Sequence, residues 1–134
     1  RGFGGAAGLA PEKEGAAYGP ENCNRRIQKF DSNFNPVLQW DVAGWESESI
    51  VNKPYLAVDP AGRVFISDPE GYRIIAYDGR SGEVLLTWGQ YGQDLSSFQL
   101  PVGVAVDRSG DLLVVDSDSH RIMKFQVPAQ AGGG

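Results

Sequence analysis

With 134 residues, 41% of them hydrophobic and 22% charged, the chain has the composition of one soluble globular domain. Its net charge of −5 argues against nucleic-acid binding, because polyanions are bound by runs of Lys and Arg that this chain lacks. A single cysteine, Cys23, excludes an internal disulfide and a multi-cysteine zinc site. No apolar run approaches the roughly 18 residues of a membrane helix, so we expect no membrane insertion.

The chain opens on a stretch, residues 1–20, that is rich in Gly and Ala and contains Pro11 and Pro20. This composition predicts an extended or disordered segment that does not easily form a strand of a sheet. Two short apolar runs follow, at 26–30 and 37–42, and predict two strands. They form an incomplete first unit, residues 21–42, with no strand expected before them.

The second unit, residues 54–88, is complete. Short β-branched runs separated by Gly, Pro and Asp predict four strands, which we label a to d in order. They lie at about 55–59, 63–67, 72–77 and 83–88. Strands of this length joined by tight turns favour an antiparallel sheet, and no long helix fits between them.

The third unit, residues 101–127, repeats strands a, b and c at 102–106, 111–115 and 121–126. Residues 128–134 are predicted to be a flexible tail. The sequence therefore predicts nine strands in all, of which those at 37–42 and 121–126 have open edges.

The three units are copies of one repeat. Arg26-Ile27-Gln28-Lys29-Phe30 returns 47 residues later, at 73–77, and again after a further 48 residues, at 121–125. Four strands in about 40 to 50 residues is typical of one blade of a β-propeller. The segment 21–127 resembles the NHL repeat, and the residues that carry the resemblance are Pro101, Gly103, Ala105, Asp107, Gly110, Asp116, His120, Arg121, Ile122 and Phe125, with the loop Trp88-Gly89-Gln90-Tyr91-Gly92 running on to Phe98.

The resemblance implies an all-β chain of consecutive four-stranded antiparallel blades of an NHL-type β-propeller, with an incomplete ring. It also implies a non-catalytic binding or scaffolding module with a protein or glycan partner, as part of a larger bacterial envelope protein and therefore extracytoplasmic. Two alternatives stay open: a fragment of a propeller lyase or lactonase, and a structural subunit that polymerises through its open blade edges.

The predicted binding residues lie in the d-to-a connections and the b-to-c turns, which form one face of a propeller. Exposed aromatic side chains beside polar ones suit partner recognition there. The candidates are Trp45, Glu46, Glu48, Tyr72, Tyr91, Gln93, Asp94 and His120. We predict no catalytic residue, no metal site and no cofactor, because one His and one Cys do not supply the converging ligands that such sites need.

Other polar and aromatic residues recur once per unit and are interpreted as structural. Asp68 and Asp116 each end a b strand five residues before an Arg, so we expect them to tie the b-to-c hairpin to Arg73 and Arg121. The loop 107–111 is predicted to be a turn and not a calcium site. The aromatic residues expected to be largely buried are Phe30, Trp40, Tyr77, Trp88 and Phe125.

Overall fold

The computed structural model describes residues 10–11, 16–21, 26–42, 55–92 and 94–128. Across these ranges the regular structure is strand, apart from one turn of 3-10 helix at Pro69–Gly71. No helix in this part of the chain has the length and apolar character needed to cross a membrane.

Eleven strands in three antiparallel sheets make up the described structure. Each sheet follows chain order from one edge to the other, as consecutive hairpins require. Blade I contains β1 to β4, blade II contains β5 to β8, and blade III contains β9 to β11. In chain order the strands are β1 Ala10–Pro11, β2 Ala17–Glu21, β3 Arg26–Phe30, β4 Pro36–Asp41, β5 Leu56–Val58, β6 Arg63–Asp68, β7 Arg73–Asp78, β8 Val84–Trp88, β9 Pro101–Val106, β10 Leu112–Asp116 and β11 Arg121–Phe125.

Blade I corrects the prediction for residues 1–20. This stretch supplies β1 and most of β2, so the first unit is a four-stranded sheet, and the described residues form eleven strands where nine were predicted. β2 pairs with β3 along its length, from Ala17 opposite Phe30 to Glu21 opposite Arg26. The prediction was wrong because strand formation depends more on packing than on the weak β-propensity of Gly and Ala. Tyr18 is fully buried in the core shared with blade II, and this burial stabilises the strand.

The blades stack face to face and enclose two apolar cores. The first core lies between blades I and II and includes Tyr18, Ile27, Val64 and Tyr77. The second lies between blades II and III, and its buried residues are Phe65, Ile74, Ala76, Phe98, Leu112, Val114 and Met123. Because side chains alternate between the two faces of a sheet, blade II contributes one set of residues to each core.

Four of the predicted aromatic positions, Trp40, Tyr77, Trp88 and Phe125, belong to these cores, whereas Phe30 pairs with Ala17 on the other face of blade I. Phe30 and Tyr77 are buried, whereas Trp40, Trp88 and Phe125 are half-buried. Each tryptophan on a d strand reaches an aromatic ring of the following blade. Trp40 lies 5.5 Å from Tyr77, and Trp88 lies 5.4 Å from Phe125, measured between ring centroids. The outermost strand of each complete blade thus packs against the following blade through its tryptophan.

A polar clasp joins consecutive blades at the end where strands c and d meet. Between blades I and II, the Tyr18 hydroxyl and the Lys29 ammonium both donate to the carbonyl oxygen of Gly79, at 3.2 and 3.1 Å. Between blades II and III, the Arg63 guanidinium donates to the carbonyl oxygens of Val127 and Pro128. At both junctions, a side chain on strand b or c of one blade donates a hydrogen bond to a main-chain carbonyl just after strand c of the next blade. The side chains that donate differ between the two junctions.

The turns follow the repeat as well. In the loop 107–111, the Asp107 carboxylate accepts hydrogen bonds from the N–H groups of Ser109 and Asp111. Gly110 completes the turn at φ 85°, a left-handed conformation that favours glycine. The carboxylate is used to close the turn, which confirms its interpretation as a hairpin.

Candidate functional site

The candidate site lies where the b-to-c turns and the d-to-a connection reach the same end of blades II and III. Of the eight residues predicted to bind a partner, four are described there: Tyr72, Tyr91, Asp94 and His120. The other four, Trp45, Glu46, Glu48 and Gln93, lie outside the described residues.

Two tyrosines from different loops meet at this end of blade II. Tyr72 follows the 3-10 turn in a left-handed conformation, with φ 57°, and its N–H donates to the carbonyl of Pro69. The ring of Tyr91 lies 5.0 Å from that of Tyr72, edge to face at 71°. This is a favourable aromatic geometry. Tyr91 nevertheless keeps 63% of its surface exposed, so the pair presents a ring to solvent.

The loop that carries Tyr91 is firmly anchored although it is exposed. The N–H of Phe98 donates to the carbonyl of Gln90, and the N–H of Gly92 donates to the carbonyl of Phe98. The Phe98 side chain is fully buried between blades II and III. Phe98 therefore acts as the anchor that holds Tyr91 in place.

The tip of the same loop combines a capping carboxylate with an exposed leucine. The neighbouring Ser97 side chain and the N–H of Ser96, which donates to the Asp94 carboxylate, lower the pKa of Asp94 below its ordinary value. Leu95, next to it, is 85% exposed. Leu95 was not among the binding residues predicted from the sequence. Its position could have indicated it, because Leu95 is the one apolar side chain between Tyr91 and Phe98 and is flanked by polar residues.

Two charged residues of blade III, Asp116 and Arg121, bind the loop that carries Tyr91. The buried Asp116 carboxylate accepts hydrogen bonds from the N–H groups of Gln99 and Leu100, at 2.7 to 3.1 Å. The Arg121 guanidinium donates to the carbonyl oxygens of Asp94 and Ser97. Both groups thus fix the d-to-a connection as well as their own hairpin.

The expected ties within the hairpins differ between the blades. In blade II, Arg73 donates to the Asp68 carboxylate at 2.8 Å, as predicted. In blade III, Arg121 Nε lies 3.7 Å from Asp116 Oδ2, an ion-pair distance longer than a hydrogen bond. The sequence did not reveal that the main partners of Asp116 are backbone N–H groups 16 and 17 residues away.

His120 occupies in blade III the position that Tyr72 has in blade II. Its backbone is left-handed, with φ 55°, its N–H donates to the carbonyl of Ser117, and it is exposed. In blades II and III, the repeat therefore places one side chain at the end of the b-to-c turn. Tyr72 is the one that contacts Tyr91.

The chemistry available at this face is apolar and aromatic contact. Within the described ranges, no group of three His, Cys, Asp or Glu side chains is arranged to hold a metal ion. A cleft of about 450 Å³ opens at the opposite end of blades II and III, but its charged groups bind one another: Arg63 pairs with Asp59, and Arg80 pairs with Asp78. We therefore place the candidate site at the aromatic loops.

Comparison with known proteins supports the repeat and the fold. Residues 98–125 match the NHL repeat family model. Solved structures with the same fold include streptogramin B lyase, which is 14% identical with a TM-score of 0.61, where the alignment covers 95% of this chain and 42% of that chain. A protein of unknown function from Bacteroides thetaiotaomicron is 20% identical with a TM-score of 0.65, covering 83% of this chain and 30% of that one.

Virginiamycin B lyase from Staphylococcus aureus is 13% identical with a TM-score of 0.61, and the alignment covers 97% of this chain and 44% of that chain. At these identities the likeness shows the fold alone. The chain spans less than half the length of each of these three structures. None of the curated proteins matches the chain significantly.

Proposed function

We propose that this chain, which has the β-propeller fold and matches an NHL repeat at 98–125, is a non-catalytic module that binds a protein partner at its aromatic loop face. We define this loop face by Tyr72, Tyr91 and Leu95. The fold itself is compatible with many activities, so the proposal rests on the site and not on the fold.

The observation that carries the proposal is an exposed apolar surface on an ordered loop. Tyr91 and Leu95 point to solvent, while the loop backbone on either side is bonded to Phe98, Asp116 and Arg121. Exposed aromatic and apolar groups on a preorganised backbone lose little conformational entropy on binding. Such groups commonly dominate the binding energy of protein interfaces.

A protein fits this face better than a glycan. Sugar recognition needs free polar groups to bond the hydroxyls, but Asp94, the described carboxylate at the loop tip, already accepts hydrogen bonds from within its own loop. Leu95 offers the partner an apolar contact only. A peptide segment with an apolar side chain between the tyrosine ring and the leucine would match this chemistry.

The lyase alternative has less support from the residues. The whole chain contains one histidine and one cysteine, and the histidine, His120, stands at an exposed turn. General acid–base catalysis usually needs converging groups within hydrogen-bond reach. We therefore propose binding without chemistry.

Replacing Tyr91 by alanine is expected to weaken binding at least about tenfold, as for a central aromatic contact of an interface. The probe is a peptide selected from a displayed random library against the native chain, and its affinity is measured by fluorescence polarisation. Val84→Ala is the matched control. Val84 is a similarly exposed apolar residue at the opposite end of blade II, and its loss should leave affinity unchanged.

Three outcomes contradict this proposal. Selected peptides that bind the Tyr91→Ala and native chains equally well place the site elsewhere. Specific binding on a glycan array that depends on Tyr91 supports the glycan alternative. Turnover of a streptogramin by the purified chain supports the lyase alternative.

A further inference from the structure

The outer edge of blade II is open to a further strand. β8 is the outermost strand of its four-stranded sheet, and β7 pairs with it on one side. Within the residues that the structure describes, no strand pairs with β8 on its other side. Alternate N–H and C=O groups of such an edge strand point away from the sheet, where they can bond to an added strand.

Exposed apolar side chains flank this edge. Val84 is 60% exposed and Leu86 is 41% exposed. A bulge separates them, so that Val84 lies opposite Tyr77 and Leu86 lies opposite Ala76. Tyr77 and Ala76 are consecutive in a strand and point to opposite faces of the sheet. The edge therefore has an exposed apolar side chain on each face, and a strand added there covers both.

The outermost strands of the other two described sheets carry residues that usually prevent pairing at an edge. Proline removes a donor from the edge, and a charged side chain opposes its burial by a second strand. β4 begins at Pro36 and ends at Asp41, and β11 contains Arg121 and Lys124. β8, at 84–88, contains neither a proline nor a charged residue. Of these three edges, β8 is the one suited to pair with another strand.

The same strand of a second copy fits this edge. Two identical strands can pair antiparallel about a two-fold axis, because each presents to the other the surface that it receives. The register that pairs all five residues places Leu86 opposite the second copy's Leu86. It places Glu83, the charged residue nearest to β8, opposite Gly89, so that no like charges meet.

We propose that two copies of this chain associate by antiparallel pairing of their β8 strands, which joins the two four-stranded sheets of blade II into one sheet. A contact along one short strand forms a small interface, and small interfaces are weak. The dimer is therefore expected to form in a concentration-dependent way. The edge of β8 is separate from the loop face, so this inference does not depend on the proposed partner.

Sedimentation velocity of the native chain over a range of concentrations tests this pairing, together with one substitution made at the same repeat position on two edges. Thr87→Lys places a charge on β8, and Gln39→Lys places the same charge on β4 as the matched control. Thr87 lies opposite Ile75 and Gln39 lies opposite Gln28, and both are exposed, so each variant should fold as the native chain does. Matching urea midpoints at low protein concentration verify this.

We expect the native chain and the Gln39→Lys variant to dimerise alike, and the Thr87→Lys variant to associate at least about tenfold more weakly, since each copy then brings a like charge to the paired edge. A native chain that stays monomeric at high concentration would overturn the proposal. So would equal weakening by both substitutions, or no weakening by Thr87→Lys, because the contact would then lie away from β8.

Hydrogen–deuterium exchange locates the contact without any substitution. We expect the amides of 84–88 to exchange more slowly as the concentration of the native chain rises, while those of 36–41 do not change. Slower exchange at 84–88 that appears only when the selected peptide is added, in a chain that stays monomeric, would assign the edge to a different protein and contradict the pairing of two copies.

Discussion

Replacing Phe98 by alanine is expected to destabilise the chain by about 4 kcal/mol, within the usual range for a buried phenylalanine. Phe98 is fully buried, and its ring lies 5.9 Å from that of Phe125 between blades II and III. Removing it leaves a cavity under the loop that carries Tyr91. Gly89, at φ 112°, packs against the Phe98 ring and has no side chain that could fill the space.

Urea unfolding followed by tryptophan fluorescence measures this effect. The control is Leu95→Ala in the same loop, because Leu95 is exposed and its truncation should change stability by less than about 0.5 kcal/mol. Similar small effects of both substitutions would contradict the packing of Phe98 between the blades.

Replacing Asp116 by alanine is expected to cost about 3 kcal/mol. The change removes the acceptor of the Gln99 and Leu100 N–H groups and leaves Arg121 without its carboxylate neighbour. Buried donors that lose their partner cost about 1 to 3 kcal/mol each. Asp118→Ala, two residues further along and exposed, is the matched control and should be nearly neutral.

The pH dependence of stability gives a second measure of the same carboxylate. Burial disfavours the charged form of Asp116, but hydrogen bonds from the Leu100 N–H, the Ser119 side chain and the Gln99 N–H outweigh it and lower its pKa. A lowered folded-state pKa contributes stability that is complete above the unfolded value of about 3.9. This stability is lost as the pH falls through the folded value.

The free energy of unfolding of the native chain should therefore fall below about pH 4. The Asp116→Asn variant should show a weaker decrease over the same pH range, since other carboxylates such as Asp94 and Asp107 also have lowered pKa values. Parallel pH profiles for the two proteins would show that Asp116 is not linked to folding.

The strands of blade II were predictable because their signals are local. Val64, Ile66, Ile74 and Tyr77 alternate or cluster between turns marked by Gly and Asp, and the observed strands end within one or two residues of the expected positions. Because blade III repeats the sequence pattern of blade II, the same signals also predicted its strands.

The contribution of residues 10–21 to blade I was not predictable in this way. The strand around Tyr18 is stabilised by contact with Val64 and Tyr77, which are distant in the sequence, and its Ala, Gly and Pro residues have weak β-propensity. The Asp116 contacts with Gln99 and Leu100 were missed for a similar reason. They join a strand to a loop across 16 or 17 residues, and no motif marks the loop as their donor.

The candidate site was predicted only in outline. The blade topology places the turn of Tyr72 and the loop of Tyr91 at one end, which the sequence indicates. The contact between the rings of Tyr72 and Tyr91 depends on the left-handed backbone of Tyr72 and on the anchoring of the loop by Phe98. These are properties of packing, so they became visible only in three dimensions.

The central claim, that the aromatic loops bind the partner, is tested most directly by hydrogen–deuterium exchange of the native chain with and without the selected peptide. Exchange reports which backbone segments a ligand covers or stabilises. We predict that protection appears at 69–72 and 90–97, around Tyr72, Tyr91 and Leu95. Protection confined to the opposite end, at 59–63, 78–82 or 107–111, would contradict the claim.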